Sequence, residues 1–227
     1  MVGNGLQALQ PVDRETLESK VSRVLREAIL AGQLKPDQRL VEQKISKQLG
    51  VSRVPVREAI ANLEQEGLVV RVHGRGARVA NPSAKDVEEI YGLRLALELY
   101  ALRIAFEKIK EKDLRIFKKL VDDMAACVEE GDIAQLLEID LTYHETLCKL
   151  ADNQRLLDAW QSQISQVRML LALSGSMDYD MRNMIEGHYQ ILEAMRDHDL
   201  ETAQSLLETQ ICMSRDQLLQ HRDVDSD

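Results

Sequence analysis

The chain is 227 residues long, 44% apolar and 30% charged, with a formal net charge of −9. That length accommodates two small domains with real cores, and the acidic balance excludes a protein that coats nucleic acid indiscriminately. No apolar run approaches the roughly 20 residues needed to span a bilayer, and the N-terminus lacks the basic-then-apolar pattern of a signal peptide, so the expected location is the cytoplasm, away from membranes.

Residues 1–12 have no hydrophobic period and are expected to form a disordered tail. Helical periodicity begins near Leu17, where Val21, Val24, Leu25, Ala28 and Ile29 make one apolar stripe that Gly32 ends. Leu34-Lys35-Pro36-Asp37 is turn chemistry. Val41, Ile45 and Leu49 mark a short second helix, closed by Gly50. A third helix follows, with Ser52 as its cap, Val56, Ile60 and Leu63 on its inner side, and Gly67 at its end. The period then changes to two. Val70 and Val72, then Ala77 and Val79, flank His73-Gly74-Arg75-Gly76, which predicts a β-hairpin with its glycines at the turn. Three helices and a hairpin predict a winged helix-turn-helix over residues 13–80.

In that frame Arg53 and Arg57 lie four residues apart on the outer face of the third helix, near its N-terminus. A recognition helix presents its donors to base edges and phosphates from that place. Pro55 fits the first turn, where its missing N–H breaks no helical bond. Gln43 opens the second helix within reach of a phosphate, and His73, Gly74 and Arg75 form the wing tip. A lone arginine pair at this spacing is usually an ordinary solvated charge. Its occurrence with a cap, a turn glycine, a preceding short helix and a wing favours double-stranded DNA as the partner. His73 alone stays ambiguous between contact and exposed turn. Residues 1–82 hold 13 Lys and Arg against 9 Asp and Glu, whereas the remainder holds 16 against 29. A mildly basic head on an acidic body fits that reading.

Asn81-Pro82 breaks the pattern, so 81–83 is read as a linker, and Ser83 with Asp86 resembles a capping box. From there to 222 no strand signal appears. Six helical segments are predicted, at 84–109, 112–129, 132–150, 153–174, 179–196 and 199–221, separated by Gly131, Asn153, Gly175 and Asp197–Asp199. Residues 223–227 are expected to be a disordered acidic tail. The expected fold class is mainly α: a winged helix-turn-helix followed by an all-α six-helix bundle. Cys127, Cys148 and Cys212 sit at neither metal nor redox spacing and read as buried free thiols.

Polar residues occupy places on the bundle's apolar stripes. Asp140 and His144 stand where the stripe of Ile133, Leu137, Leu147 and Ala151 calls for apolar residues. His188 lies on the stripe of Met181, Met184, Ile185, Ile191 and Met195, and Gln210 on that of Ala203, Leu206, Leu207 and Leu218. Arg94 lies among Val87, Ile90, Leu97 and Ala101. Buried polar groups pair, bind metal or line a cavity, so five of them on four helices imply one polar chamber. Asp140 and His144 at i, i+4 share a face and can chelate one ion, with His188 completing a facial set. Each histidine taken alone is more often a satisfied core residue. Arg94 has two readings, a receptor for an effector carboxylate or an intrahelical partner of Glu98. Arg168 is a weaker effector candidate that also reads as solvated, and Tyr143 and Trp160 read as packing or chamber wall.

The run Gly50-Val51-Ser52-Arg53-Val54-Pro55-Val56-Arg57-Glu58-Ala59-Ile60, with Glu66-Gly67-Leu68-Val69 and the wing, closely resembles the GntR family of bacterial transcription regulators over residues 17 to 80. The resemblance implies that Gln43, Ser52, Arg53, Arg57, His73 and Gly74 hold DNA-contacting positions. Gln43 departs from an arginine found in some relatives, and Asp37 stands where a turn glycine is usual. Arg94-x-x-x-Glu98, Asp140-x-x-x-His144 and His188 resemble the FCD effector domain of the FadR subfamily, and six helices resemble its VanR-like branch. That resemblance implies a divalent ion (Zn, Ni or Mn) on Asp140, His144 and His188, with Gln210 in place of an expected fourth histidine. A neutral amide is the weaker ligand, which leaves a weakly held ion or an effector bound by side chains alone. The first functional expectation is a homodimeric regulator, because one recognition helix reads only a half-site, and a repressor released from its operator by a small carboxylate, with Arg94, Arg168 and Gln210 as the candidate effector residues. The alternative is a metal-dependent enzyme acting on a small acid, for which the stripes offer no extra carboxylate as general base.

Overall fold

The computed structural model describes residues 16–72, 74, 76–173 and 181–224, with side chains described as far as Gln220. The tail expected at 1–12, the last three residues (225–227) of the tail expected at 223–227, the stop at Gly175, and the wing-tip residues His73 and Arg75 lie outside the described residues.

The N-terminal part contains α1 (Leu17–Leu30), β1 (Arg39–Leu40), α2 (Glu42–Leu49), α3 (Arg53–Gln65), β2 (Val69–Val72) and β3 (Gly76–Val79). Thr16 caps α1 by accepting from the Ser19 N–H at 3.1 Å. Gly50 ends α2 in the left-handed region, at φ +67°, a conformation that costs a residue without Cβ little. The sheet order is β1-β3-β2, antiparallel throughout, with Leu40 opposite Ala77 and Val69 opposite Val79. Strand β1 was not expected, because two residues between turns carry no readable period. Asp37 precedes it at φ +61°, and Asn81 donates to its carboxylate at 2.7 Å. The side chain thus ties down a conformation that glycine would adopt at less cost. Val21, Leu25, Ile29, Val56, Ile60, Leu63, Leu68 and Val79 form the core of this part.

The C-terminal part is helical in every element: α4 (Ala84–Ala105), α5 (Glu111–Glu130), α6 (Ile133–Leu150), α7 (Gln154–Leu173), α8 (Met181–Arg196) and α9 (Leu200–Val224). Ser83 and Asp86 form the expected capping box. A 3-10 turn, Phe106–Lys108, replaces the predicted end of the first bundle helix, and α9 runs two residues into the stretch expected to be a disordered tail. The apolar stripe of α6 is also displaced at its start: Leu136 is fully buried while Ile133 is 37% exposed. Phe117, Val121, Met124, Tyr143, Leu147, Trp160, Ile191 and Leu207 are among the core residues. No helix among the described residues is long and apolar enough to cross a membrane.

The two parts meet along α7. Met169 is 1% exposed and belongs to the core of the N-terminal part. Ser165 donates to Glu66 Oε2 at 3.0 Å, and both Glu66 oxygens are gripped by one edge of the Arg26 guanidinium, Nη2 at 2.5 Å and Nε at 2.8 Å. Gly67 lies under Gln166, so closely that a Cβ there would fall 2.6 Å from the glutamine amide. With φ at +74° as well, Gly67→Ala is expected to loosen this junction and lower the melting temperature, which thermal unfolding would measure.

Candidate functional site

On the N-terminal part, Ser52 is the cap residue of α3 by its backbone, with extended φ and ψ, but its hydroxyl makes no capping hydrogen bond. The expected side-chain cap is therefore corrected, and the Ser52 hydroxyl is exposed. Pro55 is the third helical residue, where no intrahelical donor is lost, and it is buried. Arg53 and Arg57 are both exposed on the outer side of α3, with half-exposed Val54 beside them. Arg53 Nη2 stands 3.2 Å from Glu42 Oε2, an exposed pair of the kind that contributes about 0–1 kcal/mol. Gln43 is exposed in the first turn of α2, and Gly74 is exposed at the wing. These side chains face solvent rather than the core.

In the C-terminal part, four helices bring their off-pattern residues together. Arg94 and Glu98 come from α4, Asp140 and His144 from α6, His188 from α8, and Trp160 from α7. Arg94 is 4% exposed, Asp140 8%, His144 2%, and Glu98 and His188 0%. Such burial requires mutual compensation. Glu98 Oε1 accepts from Arg94 Nε and Trp160 Nε1, each at 2.8 Å, and Glu98 Oε2 lies 2.5 Å from His144 Nδ1. Burial would raise the Glu98 pKa, but the facing His144 and Arg94 charges hold it down at about 2. Burial likewise opposes the charge on Asp140, and the two histidines keep its pKa well below the usual carboxylate range. For His144, burial pulls downward and the Glu98 carboxylate more than offsets it.

The two imidazoles are oriented alike. His144 Nδ1 faces the Glu98 carboxylate, and His188 Nδ1 lies 2.8 Å from the Met184 carbonyl, which can only accept. Both Nε2 atoms therefore turn toward Asp140 Oδ1, at 3.7 Å from His144 and 3.2 Å from His188. His188 Nε2 is buried and has no hydrogen bond. One ligand atom from each of these residues lies within 4.8 Å of the others. Histidines that bind metal commonly donate their far N–H to a carboxylate or carbonyl, as both do here. Without a metal a protonated His144 offsets the second of the two buried carboxylates beside Arg94; with both imidazoles neutral, as metal ligation requires, a cation would take over that role. The group thus fits a divalent ion.

A cavity of about 180 Å³ adjoins it, lined in part by Arg94, Asp140, His144, Gln210, Ser214 and Leu171. Gln210 Nε2 donates to the same Met184 carbonyl at 2.8 Å, and its amide lies against Gly187. Arg94 pairs with Glu98, as the second of its readings has it, and it also lines the cavity. Arg168 is a correction. It forks onto Glu138 at 2.7 and 3.1 Å and is not part of the cavity wall, because its place on α7 turns it outward. Glu98 is the carboxylate that the stripes did not reveal as part of the chamber. Its i, i+4 spacing from Arg94 was visible, but its partners on α6 and α7 are 46 and 62 residues away. Trp160, read as packing, is one of those partners.

Residues 17–79 match the gntR family of bacterial regulatory proteins, and residues 89–211 match the FCD domain. The chain is 32% identical over 195 residues to a probable D-xylose utilization operon transcriptional repressor of Paenarthrobacter nicotinovorans, spanning 86% of this chain and 85% of that one. It is 27% identical over 180 residues to the HTH-type transcriptional regulator YdhC of Bacillus subtilis, spanning 79% and 80%. In fold it is similar to E. coli McbR/YncC, with a TM-score of 0.76 at 23% identity over 91% of this chain and 99% of that one. The chain belongs to the GntR family: it is a DNA-binding transcriptional regulator with a C-terminal FCD domain.

Proposed function

We propose that this regulator is a cytoplasmic, homodimeric repressor of the VanR-like branch, released from its operator by a small carboxylate. Arg53 and Arg57 read base edges from α3. Gln43, Ser52, His73, Gly74 and Arg75 contact the duplex around them. Two copies are needed because one recognition helix covers only a half-site. Asp140, His144 and His188 hold a divalent ion (Zn, Ni or Mn), which supplies a positive centre for an anionic ligand. Arg94 offers its guanidinium to the effector carboxylate from the same wall. Gln210 lines the effector space, where its amide nitrogen is engaged by the Met184 carbonyl and its oxygen is the weak, neutral fourth donor available to the ion.

The observation that carries this reading is the shared aim of the two histidine Nε2 atoms at Asp140 beside a cavity that contains a buried arginine. An enzyme built on the same ion would need a free base. Glu98, the neighbouring carboxylate, already accepts from Arg94 and Trp160 and faces His144.

Helix α7 supports a route from chamber to head. Trp160 touches Glu98, Leu171 lines the cavity, and Met169 fills the core of the N-terminal part. An effector that binds one setting of α7 better than another shifts the head's population between operator-matched and mismatched arrangements.

Thermal unfolding of chelator-stripped protein tests the proposal. Addition of Zn, Ni or Mn at about 100 times the dissociation constant should stabilise it by about 2.7 kcal/mol. A small carboxylate should add to that shift only when the ion is present, and should release operator DNA. Asp140→Ala should abolish both shifts. Equal carboxylate shifts with and without metal, or in Asp140→Ala, would refute the metal-assisted site.

A further inference from the structure

A second cavity, of about 240 Å³, lies on the N-terminal part between the wing and the start of α2 and α3. Its wall includes Arg39, Gln43, Glu42, Arg53 and Arg71. Two of the three arginines are already paired within the chain. Arg53 faces Glu42 at 3.2 Å, and Arg71 Nε lies 2.7 Å from Glu64 Oε2. Among the described residues Arg39 makes neither an ion pair nor a side-chain hydrogen bond. The Glu42 carboxylate is balanced by Arg53, so among the described residues of the wall the uncompensated charge is that of Arg39.

The fold fixes where that charge points. Leu40 is 5% exposed and packs inward, so its neighbour Arg39 is directed to the outer face of β1. The pairing of Arg39 with Arg78 anchors β1 to β3, the return strand of the wing. The guanidinium lies across Gly76, where an added Cβ would stand 3.8 Å from Nε and 3.9 Å from Nη2. No side chain at that position separates Arg39 from the wing. A planar cation with unused donors, held on a short strand, suits a phosphate oxygen.

We propose that Arg39 is a duplex-backbone contact, which binds a phosphate where the wing and the N-terminus of α2 meet the DNA. The inference rests on the reading of this part as a DNA-binding head. It adds a site on β1 that the sequence motifs did not indicate. Its role is positioning: it strengthens binding to any duplex and carries no base preference.

The test measures affinity by fluorescence anisotropy across a salt series, for the full chain and for Arg39→Gln and Arg39→Lys. Each protein is titrated with its operator, found by selection from random duplexes, and with an unrelated duplex of equal length. Arg39→Gln should weaken binding to both duplexes by the same factor. It should also reduce the slope of log affinity against log salt by about 1. Arg39→Lys should keep the wild-type slope. Thermal unfolding should match wild type, because Arg39 is exposed. An unchanged slope in Arg39→Gln, or a loss confined to the operator, overturns the assignment while leaving the head a DNA reader. Failure of the wild-type chain to bind any duplex overturns the reading of the head, and this inference with it.

Discussion

Glu98→Ala is expected to destabilise the folded chain by about 3–5 kcal/mol, the usual cost of removing one member of a buried charge group. For a chain of this size that corresponds to a fall in melting temperature of about 6–20 °C. The cause is local. Arg94 and His144 would keep their burial and lose their anion, and the Trp160 N–H would lose its acceptor. Glu98→Gln retains the shape and one acceptor and should cost less. The variant should also hold a divalent ion about 10–100 times more weakly, because His144 loses the group that orients it. The dependence on pH has a definite sign. The folded pKa of Glu98, about 2, lies below its unfolded value, so its stabilisation is complete above the ordinary carboxylate range and is lost as pH falls toward 2. Glu98→Ala should lack that acid limb. Calorimetry that finds the variant within about 2 °C of wild type would show that Arg94 and His144 have other ways to be satisfied.

The second large effect belongs to the head. Arg53→Ala combined with Arg57→Ala should weaken operator binding by about 2–6 kcal/mol if each arginine reads a guanine, roughly thirtyfold to twenty-thousandfold. The residues are neighbours on α3, so the two single losses need not add. Both side chains are exposed, and Arg53 relinquishes only a surface contact with Glu42, so the melting temperature should hardly move. Binding to unrelated DNA should fall less than binding to the operator, which anisotropy with both duplexes would measure. A double variant within threefold of wild-type affinity would remove α3 as the reading helix.

Much of this architecture was legible because helices announce themselves locally. Polar residues at Arg94, Asp140, His144 and His188 interrupt stripes whose period is fixed by 3.6 residues per turn. A polar chamber follows from those interruptions alone. The turn glycines Gly50 and Gly67 and the capping box at Ser83 are equally local signals. What escaped was set by contacts distant in sequence. Strand β1 exists because β3 pairs with it, and nothing in Arg39-Leu40 alone requires a strand. The hydroxyl of Ser52 has the right chemistry and position for a cap yet stays out of the hydrogen bond. Arg168 turned outward because Glu138, thirty residues earlier, offered a carboxylate there. Met169 looks like a bundle residue by its period, and only the packed structure puts it in the other core.

The placement of Met169 sets a mechanical scale. Trp160 and Met169 are nine residues apart on α7, which is about 13.5 Å of helix. A pivot of 5° about the tryptophan end would carry the methionine sideways by roughly 1 Å, the width at which close-packed interiors resist. In a symmetric pair of subunits both rods would swing, and the displacement between their reading elements would double. Ligand identity would then be converted into a distance, measured against the fixed pitch of the double helix.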